Sequence, residues 1–149
     1  MYNKNKVDKA TRQIITGYMR KYEYYRKWRN DERDRINYLR ASNLERRAGS
    51  SKIGDPTGES AARLEEIDNN YRSVIVKVLE RAREEIGAGL EMMEDQKRAF
   101  RLSVWLSCME PKKYTYEKLY ARYLFPVSRT DFFRHKNQFF SAVKKYLDL

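Results

Sequence analysis

Cysteine, histidine and long apolar runs are scarce in this sequence, and each scarcity excludes a class of protein. The chain of 149 residues has one cysteine, Cys108, and one histidine, His135. A single cysteine excludes an internal disulfide bond, and apart from Asp131 no zinc ligand lies at a suitable spacing from the histidine. No apolar run approaches the roughly eighteen residues of a membrane span, and no signal-peptide pattern follows Met1. We therefore expect a cytoplasmic protein that binds no metal and no cofactor.

Proline and glycine are also scarce, with three and six residues respectively. Because both residues interrupt helices, their scarcity permits long helices. Apolar residues recur at steps of three and four, which is the spacing of a helix face, and no strand-like alternation of useful length appears. The expected fold is therefore all-α, with a long basic N-terminal helix, a linker, central amphipathic helices and a C-terminal helix-turn-helix.

Catalytic motifs are missing as well. The glycines around Gly54 and Gly87 lack the spacing and the Lys-Ser/Thr ending of a phosphate-binding loop. Carboxylates such as Glu65 and Glu84 lie between apolar helix positions, as surface residues do. We therefore predict that the protein is not an enzyme.

Positive charge is abundant but unevenly distributed along the chain, whose net charge is +11. Residues 1–54 contain 15 Lys and Arg against 6 Asp and Glu, and residues 111–149 contain 9 against 3. Residues 55–110 contain 8 against 12, so an acidic middle separates two basic ends. This distribution indicates that the ends meet a polyanion while the middle packs or dimerises, although solvated helix faces would give the same charge runs.

Turn-forming residues divide the chain into three parts. Residues 1–47 are predicted to form a basic helical region, either one long helix or two in series with a bend near Asn30. Residues 48–58 collect glycine, serine and proline and are predicted to be a linker. Residues 59–149 are predicted to form a helical domain.

Two helices are predicted in the first half of that domain. Apolar residues from Leu64 to Ile86 keep a helical spacing over about six turns, and Gly87 and Gly89 mark the end of that helix. A further helix is predicted from about Leu90 to Met109, with Met93 among its buried residues. These central helices carry the acidic charge.

The segment at about residues 115–147 predicts a helix-turn-helix. A short helix from Thr115 to Leu124 is followed by Pro126, which cannot continue a helix. Ser128 then offers a hydroxyl group to cap a second helix, and Asp131 places a carboxylate near the positive end of that helix. In such an arrangement the second helix enters the major groove of DNA and both helix starts approach phosphates.

The outward face of the second helix carries the candidates for reading bases. With Phe132 and Phe139 directed toward the core, the residues expected to face base edges are Arg129, Thr130, Phe133, Arg134 and Asn137. Arginine can donate two hydrogen bonds to guanine, asparagine can pair with adenine, and threonine or phenylalanine can touch a thymine methyl group. The expected phosphate contacts are Lys112, Lys113, Ser128, Lys136, Lys144 and Lys145. The alternative for each residue is a solvated position on an ordinary helix.

Aromatic and basic residues are interleaved in the N-terminal helix. Basic residues beside aromatic rings grip nucleic-acid backbones, but at this helical spacing the rings more often form a packing stripe. We interpret the basic residues as auxiliary phosphate contacts or as a partner surface. They are Arg20, Arg26, Lys27, Arg29 and Arg33.

Four segments of the chain carry a resemblance to a known family. They are a basic helix with Tyr22, Tyr25 and Arg35, the run Gly54–Gly58 followed by Ala61 and Ala62, a helix with Tyr71, Ile75 and Leu79, and the closing run Pro126–Arg134. Over about residues 10–147, this order resembles the phage-encoded late transcription regulators of the RinA/ArpU type. Phe125 stands here at a position that is glycine-like in the family.

The resemblance implies a C-terminal domain similar to region 4 of sigma factors, and activation of phage late or packaging-gene promoters. Ser128 would cap the recognition helix, and Arg129, Thr130 and Arg134 would face DNA. We therefore expect a sequence-specific DNA-binding transcriptional regulator of a phage or prophage, located at the nucleoid of the bacterial host cell. Its expected partners are double-stranded DNA, RNA polymerase and a second copy of the chain, which would bind through the acidic middle helices.

Two alternatives fit the same sequence features. The small subunit of a phage terminase is also a helical DNA-binding protein, but it would form a ring, and its DNA-binding domain usually comes first. A helical protein-interaction module would use the aromatic residues as a partner groove and would not bind DNA.

Overall fold

The computed structural model describes residues 6–47 and 56–149. These residues form helices and no strand, so the all-α prediction is confirmed. The helices are α1 (Lys9–Arg47), α2 (Pro56–Asn69), α3 (Tyr71–Glu84), α4 (Glu94–Met109), α5 (Tyr116–Tyr123) and α6 (Arg129–Leu147). None of the described helices is long and apolar enough to cross a membrane.

The N-terminal region is one helix of 39 residues, so the option of two helices in series is wrong. Its start is capped by Asp8, whose side-chain oxygen accepts a hydrogen bond of 2.7 Å from the Thr11 N–H. The predicted linker at 48–58 falls largely outside the described residues, but Pro56 begins α2. A proline suits the first turn of a helix because the N–H that it lacks would have no helical partner there.

The predicted helix from Leu64 to Ile86 is two helices, because the chain breaks at Asn70. The Asn70 side chain accepts a hydrogen bond of 3.0 Å from the Arg72 N–H, as a residue that caps a helix start does. Asparagine competes with the helical backbone in this way wherever its side chain can reach a neighbouring N–H. The apolar spacing continues on both sides of the break, so the spacing alone could not reveal it.

The connection between α3 and α4 contains both glycines that were predicted to end the preceding helix. Gly87 and Gly89 each have a φ of 83°, which glycine adopts at little cost. The next helix begins at Glu94 rather than near Leu90, and Met93, predicted to be buried, is 75% exposed. That prediction was wrong because Met93 precedes the first turn of α4, where the helical spacing does not yet apply.

The chain divides into two compact units. The larger unit comprises the residues up to Arg20 and Val78–Leu149, and the smaller unit comprises Lys21–Lys77. In the smaller unit Tyr22 and Tyr25 are buried, as a packing stripe on α1 predicts. The Tyr25 ring meets the Tyr71 ring edge-on, with 6.0 Å between their centroids. The aromatic residues of this unit are therefore partly a packing surface.

Three phenylalanines from different parts of the chain form the centre of the larger unit. Phe100 on α4, Phe125 between α5 and α6, and Phe132 on α6 have no exposed surface. The distances between their ring centroids are 5.5 Å for Phe100 and Phe125, 6.1 Å for Phe100 and Phe132, and 5.8 Å for Phe125 and Phe132. We call these three residues the phenylalanine cluster.

We predict that Phe132→Ala lowers the free energy of unfolding by about 3–5 kcal/mol, because it leaves a cavity at the centre of the cluster. The matched control is Phe133→Ala on the next residue, which is exposed and should cost about 1 kcal/mol or less. Urea denaturation followed by circular dichroism measures both variants. Equal losses of stability would show that the cluster is not the centre of the core.

Candidate nucleic-acid interface

The two C-terminal helices have defined ends. Thr115 precedes α5, and its hydroxyl oxygen accepts a hydrogen bond of 3.4 Å from the Lys118 N–H. Ser128 precedes α6, and its hydroxyl oxygen accepts one of 3.2 Å from the Asp131 N–H. The capping predicted for Ser128 is therefore confirmed, and the N-terminus of α6 has the carboxylate of Asp131 in its first turn. Five residues connect the two helices, from Leu124 to Ser128.

The connection between α5 and α6 is anchored by its apolar residues. Phe125 and Val127 are buried, whereas Pro126 is exposed. The Tyr116 hydroxyl group donates a hydrogen bond of 2.8 Å to the Val127 carbonyl oxygen, which ties the first turn of α5 to the connection. The left-handed residue is Leu124, with φ 53° and ψ 36°, one position before Phe125. The family resemblance pointed instead to Phe125 as the glycine-like position.

All five base-reading candidates are exposed on α6. Arg129 forms an ion pair of 2.9 Å with Glu117 on α5, and Arg134 forms one of 2.5 Å with Asp131 on its own helix. The Arg129 guanidinium group also lies 5.6 Å from the centre of the Phe133 ring. Exposed ion pairs of this kind contribute little to stability, so another anion can replace the carboxylate at small cost.

Asn137 differs from the other candidates because its side chain has a partner on α1. The Arg12 guanidinium group on α1 donates a hydrogen bond of 2.7 Å to the Asn137 side-chain oxygen. The same guanidinium group lies 5.1 Å from the centre of the Phe140 ring. Sequence reasoning missed Arg12, because nothing local to residue 12 indicates a contact 125 positions away.

A groove of about 760 Å³ runs beside the exposed face of α6, within the larger unit. Lys6 and Arg12 line it from the N-terminal side, and Phe133, Arg134 and Lys145 line it from α6. The N-terminal residues therefore add positive charge to the face that carries the base-reading candidates. Lys6 and Arg12 were absent from the predicted site.

The predicted phosphate contacts occupy different environments. Lys112, Lys113 and Lys145 are exposed, Lys144 is half-buried, and the Ser128 hydroxyl group serves as the helix cap. Lys136 is half-buried and donates a hydrogen bond of 3.3 Å to the Ser107 hydroxyl oxygen on α4. Burial lowers the pKa of Lys136, and the nearby Arg12 charge lowers it further. The Lys136 amino group thus bonds to α4, and it also lies 5.7 Å from the centre of the Phe133 ring.

The predicted auxiliary basic residues are divided between the two units. Arg20 belongs to the larger unit, and the other four belong to the smaller unit. In the smaller unit Arg26 forms an ion pair of 2.9 Å with Glu23, and Arg33 pairs with Asp68 on α2. Lys27 is exposed and Arg29 is half-buried. The ion pair of Arg33 is a contact between helices, which the charge pattern of α1 alone could not indicate.

His135 lies on α6 but faces the core. It is 6% exposed, and its ring meets the Phe100 ring edge-on at 5.4 Å between centroids. Burial lowers the pKa of His135, the charge of Arg134 lowers it further, and Asp131 acts in the opposite direction. The side chain is therefore a neutral core residue at neutral pH. In the described part of the chain no group of three His, Cys, Asp or Glu residues could hold a metal ion.

No protein-family model, curated protein sequence or solved structure matches this chain.

We predict that Leu124→Gly raises the free energy of unfolding by about 1 kcal/mol, because glycine adopts positive φ without the clash that Leu124 bears. Leu124→Ala is the control, since alanine keeps a Cβ atom in the same left-handed conformation. Thermal denaturation compares the two variants. A stabilisation by alanine equal to that by glycine would contradict the backbone explanation.

His135 should make the stability of the fold depend on pH. Because its pKa is lowered in the folded protein, the unfolded chain takes up a proton first as the pH falls below the ordinary value of 6.5. The stabilisation is complete above that pH and is lost progressively toward the lowered folded pKa. Urea denaturation between pH 7 and 5 should show this loss in the wild type and a smaller loss in His135→Gln, which removes the single histidine. Parallel pH profiles would exclude the effect.

Proposed function

We propose that this protein is a sequence-specific DNA-binding transcriptional regulator that reads the major groove with the first turns of α6. The observation that carries the proposal is the exposed face of Arg129, Thr130, Phe133 and Arg134 directly after the capped start of the helix. Helix starts favour contact with phosphate, because their free N–H groups and the helix dipole attract anions. A polar face beside such a start suits the recognition helix of a helix-turn-helix.

The four side chains offer different contacts to base pairs. Arg129 and Arg134 can each exchange a carboxylate for the O6 and N7 atoms of guanine. Thr130 and Phe133 can contact the methyl group of thymine. The side-chain oxygen of Asn137 already accepts a hydrogen bond from Arg12, so Asn137 can contact a base only by donating from its amide NH₂ group.

Exposed lysines flank this face and would contact the phosphate backbone. Lys112 and Lys113 precede α5, and Lys145 lies near the end of α6. Lys6 and Arg12 in the adjacent groove extend the positive surface. Lys136 is half-buried rather than exposed and does not belong to this flanking set.

The family resemblance supports a more specific proposal about the role of the protein in the cell. The protein would activate phage late or packaging genes, contact RNA polymerase, form a homodimer and be located at the nucleoid of a bacterial host cell. The acidic residues 55–110 would provide the dimer surface, which leaves the two basic ends of each copy to meet DNA.

We expect strong, salt-sensitive binding to selected genomic fragments, with a preference that is lost in the Arg129→Ala/Arg134→Ala variant. Each lost guanine contact should weaken specific binding about ten- to a hundredfold. Weaker binding to unrelated DNA should remain, because phosphate contacts supply it. Gel-shift competition between selected and unrelated fragments measures both affinities.

Arg35→Ala is the matched control for this experiment. Like Arg134, Arg35 is an exposed arginine paired with a carboxylate three residues before it, but it lies on α1 in the smaller unit. The control should retain the preference. Unchanged specificity in the double variant would refute the role of α6, and no DNA binding at low salt would favour a protein-interaction module. A molar mass well above that of a dimer, measured by light scattering, would favour the ring of a terminase small subunit.

A further inference from the structure

A second groove, of about 410 Å³, lies within the larger unit against α1, α4 and α6. Its volume falls in the range of about 300–1,000 Å³ that is usual for small-molecule sites. Three positively charged residues line it, namely Arg12, Arg20 and Lys136, and no carboxylate is among its described lining residues. The apolar part of its wall is formed by Met109, Pro111 and Phe140. We call it the cationic groove.

Two of these cations are close together and partly withdrawn from water. Lys136 is half-buried, and its amino group contacts two neutral groups, namely the Ser107 hydroxyl group and the Phe133 ring, whose centre lies 5.7 Å away. The Arg12 Nε atom is buried and has no hydrogen-bond partner in the described part of the chain. Both charges act on Cys108, whose burial raises its pKa to about 12. Like charges without a counterion are unfavourable at low solvent exposure, and a bound anion would relieve them.

An independent observation about Gly17 supports a role for the open space in this groove. It lies within α1, where glycine destabilises a helix relative to alanine. A helical glycine is usually explained by close packing, but no atom lies within 4 Å of the Cβ position that a larger residue would occupy. Gly17 also lines the cationic groove. The missing side chain therefore leaves space in the groove rather than room for a neighbouring helix.

We propose that the cationic groove binds a phosphate group attached to a small apolar body. The guanidinium groups and the Lys136 amino group would hold the phosphate, since charge-assisted hydrogen bonds from arginine match its geometry. The apolar wall would contact the rest of the ligand. This site goes beyond the proposed reading of DNA, because none of Arg129, Thr130, Phe133 and Arg134 lines the cationic groove.

Titration of the full chain with phenyl phosphate and with inorganic phosphate tests the site, with sodium chloride at matched ionic strength as the reference. Both phosphates should raise the melting temperature above that reference, and calorimetry should give a dissociation constant for phenyl phosphate. Gly17→Leu fills the groove and should weaken this binding at least about tenfold. Gly17→Ala adds one methyl group and should change it less than about threefold.

Lys136→Gln provides a second variant that does not depend on filling space. It should also weaken phenyl phosphate binding about tenfold, the loss of one charge-assisted contact. In the wild type, the pKa of the Lys136 amino group followed by NMR should rise when phosphate saturates the site, because an anion favours the charged form. Equal binding by the wild type, Gly17→Leu and Lys136→Gln, or no effect of either phosphate beyond sodium chloride, would overturn the proposal.

The same phosphate chemistry is available from a free metabolite and from the DNA backbone, and a gel shift with Gly17→Leu separates the two sources. Unchanged DNA affinity together with lost phenyl phosphate binding identifies a free small molecule as the ligand. A parallel loss of DNA affinity identifies a backbone phosphate. The titrations contain no DNA, so a failure of the proposed DNA binding and a failure of the cationic groove are separate results.

Discussion

The contact among Phe100, Phe125 and Phe132 is the interaction on which the C-terminal structure depends. The connection between α5 and α6 is too short to form regular structure, so its position is set by what its side chains bury. Phe125 stacks on Phe132 with 12° between the ring planes, and both rings meet Phe100 edge-on. Because Phe132 must point into this cluster, the helical repeat directs Thr130 and Arg134, two positions to either side, outward. The candidate interface is thus a consequence of the core beneath it.

Arginine side chains make a second set of contacts, which join different helices. The Arg101 guanidinium group on α4 donates hydrogen bonds of 3.1 Å to the carbonyl oxygens of Ile86 and Glu84. These oxygens lie at or just after the C-terminal end of α3, where the last carbonyl groups of a helix have no N–H partner within the helix. Arg12 joins α1 to α6 in a similar way through Asn137. A basic composition therefore does not measure the surface available to a polyanion, because part of the charge serves the fold.

The sequence predicted what depends on neighbours along the chain and missed what depends on distant ones. The helical class, the glycines after α3 and the cap at Ser128 follow from spacing and turn chemistry within a few residues. The break at Asn70 was missed because the apolar spacing continues across it. An asparagine can either continue a helix or cap the start of a new one, and the local sequence allows both conformations. The contact of Arg12 with Asn137 on α6 and the contact of Lys136 with Ser107 on α4 are tertiary contacts that no local pattern encodes.

Arg12 connects the two proposed sites and gives them a physical reason to influence each other. Its guanidinium group bonds to Asn137 beside the base-reading face and also lines the cationic groove. A phosphate held in that groove would compete with the Asn137 oxygen for the same donors, and release of that oxygen would change which base atoms the asparagine can pair with. By linkage, any effect of the phosphate ligand on DNA affinity must equal the effect of DNA on the affinity for that ligand. The coupling would therefore pass through a single side chain rather than through a rearrangement of the helices.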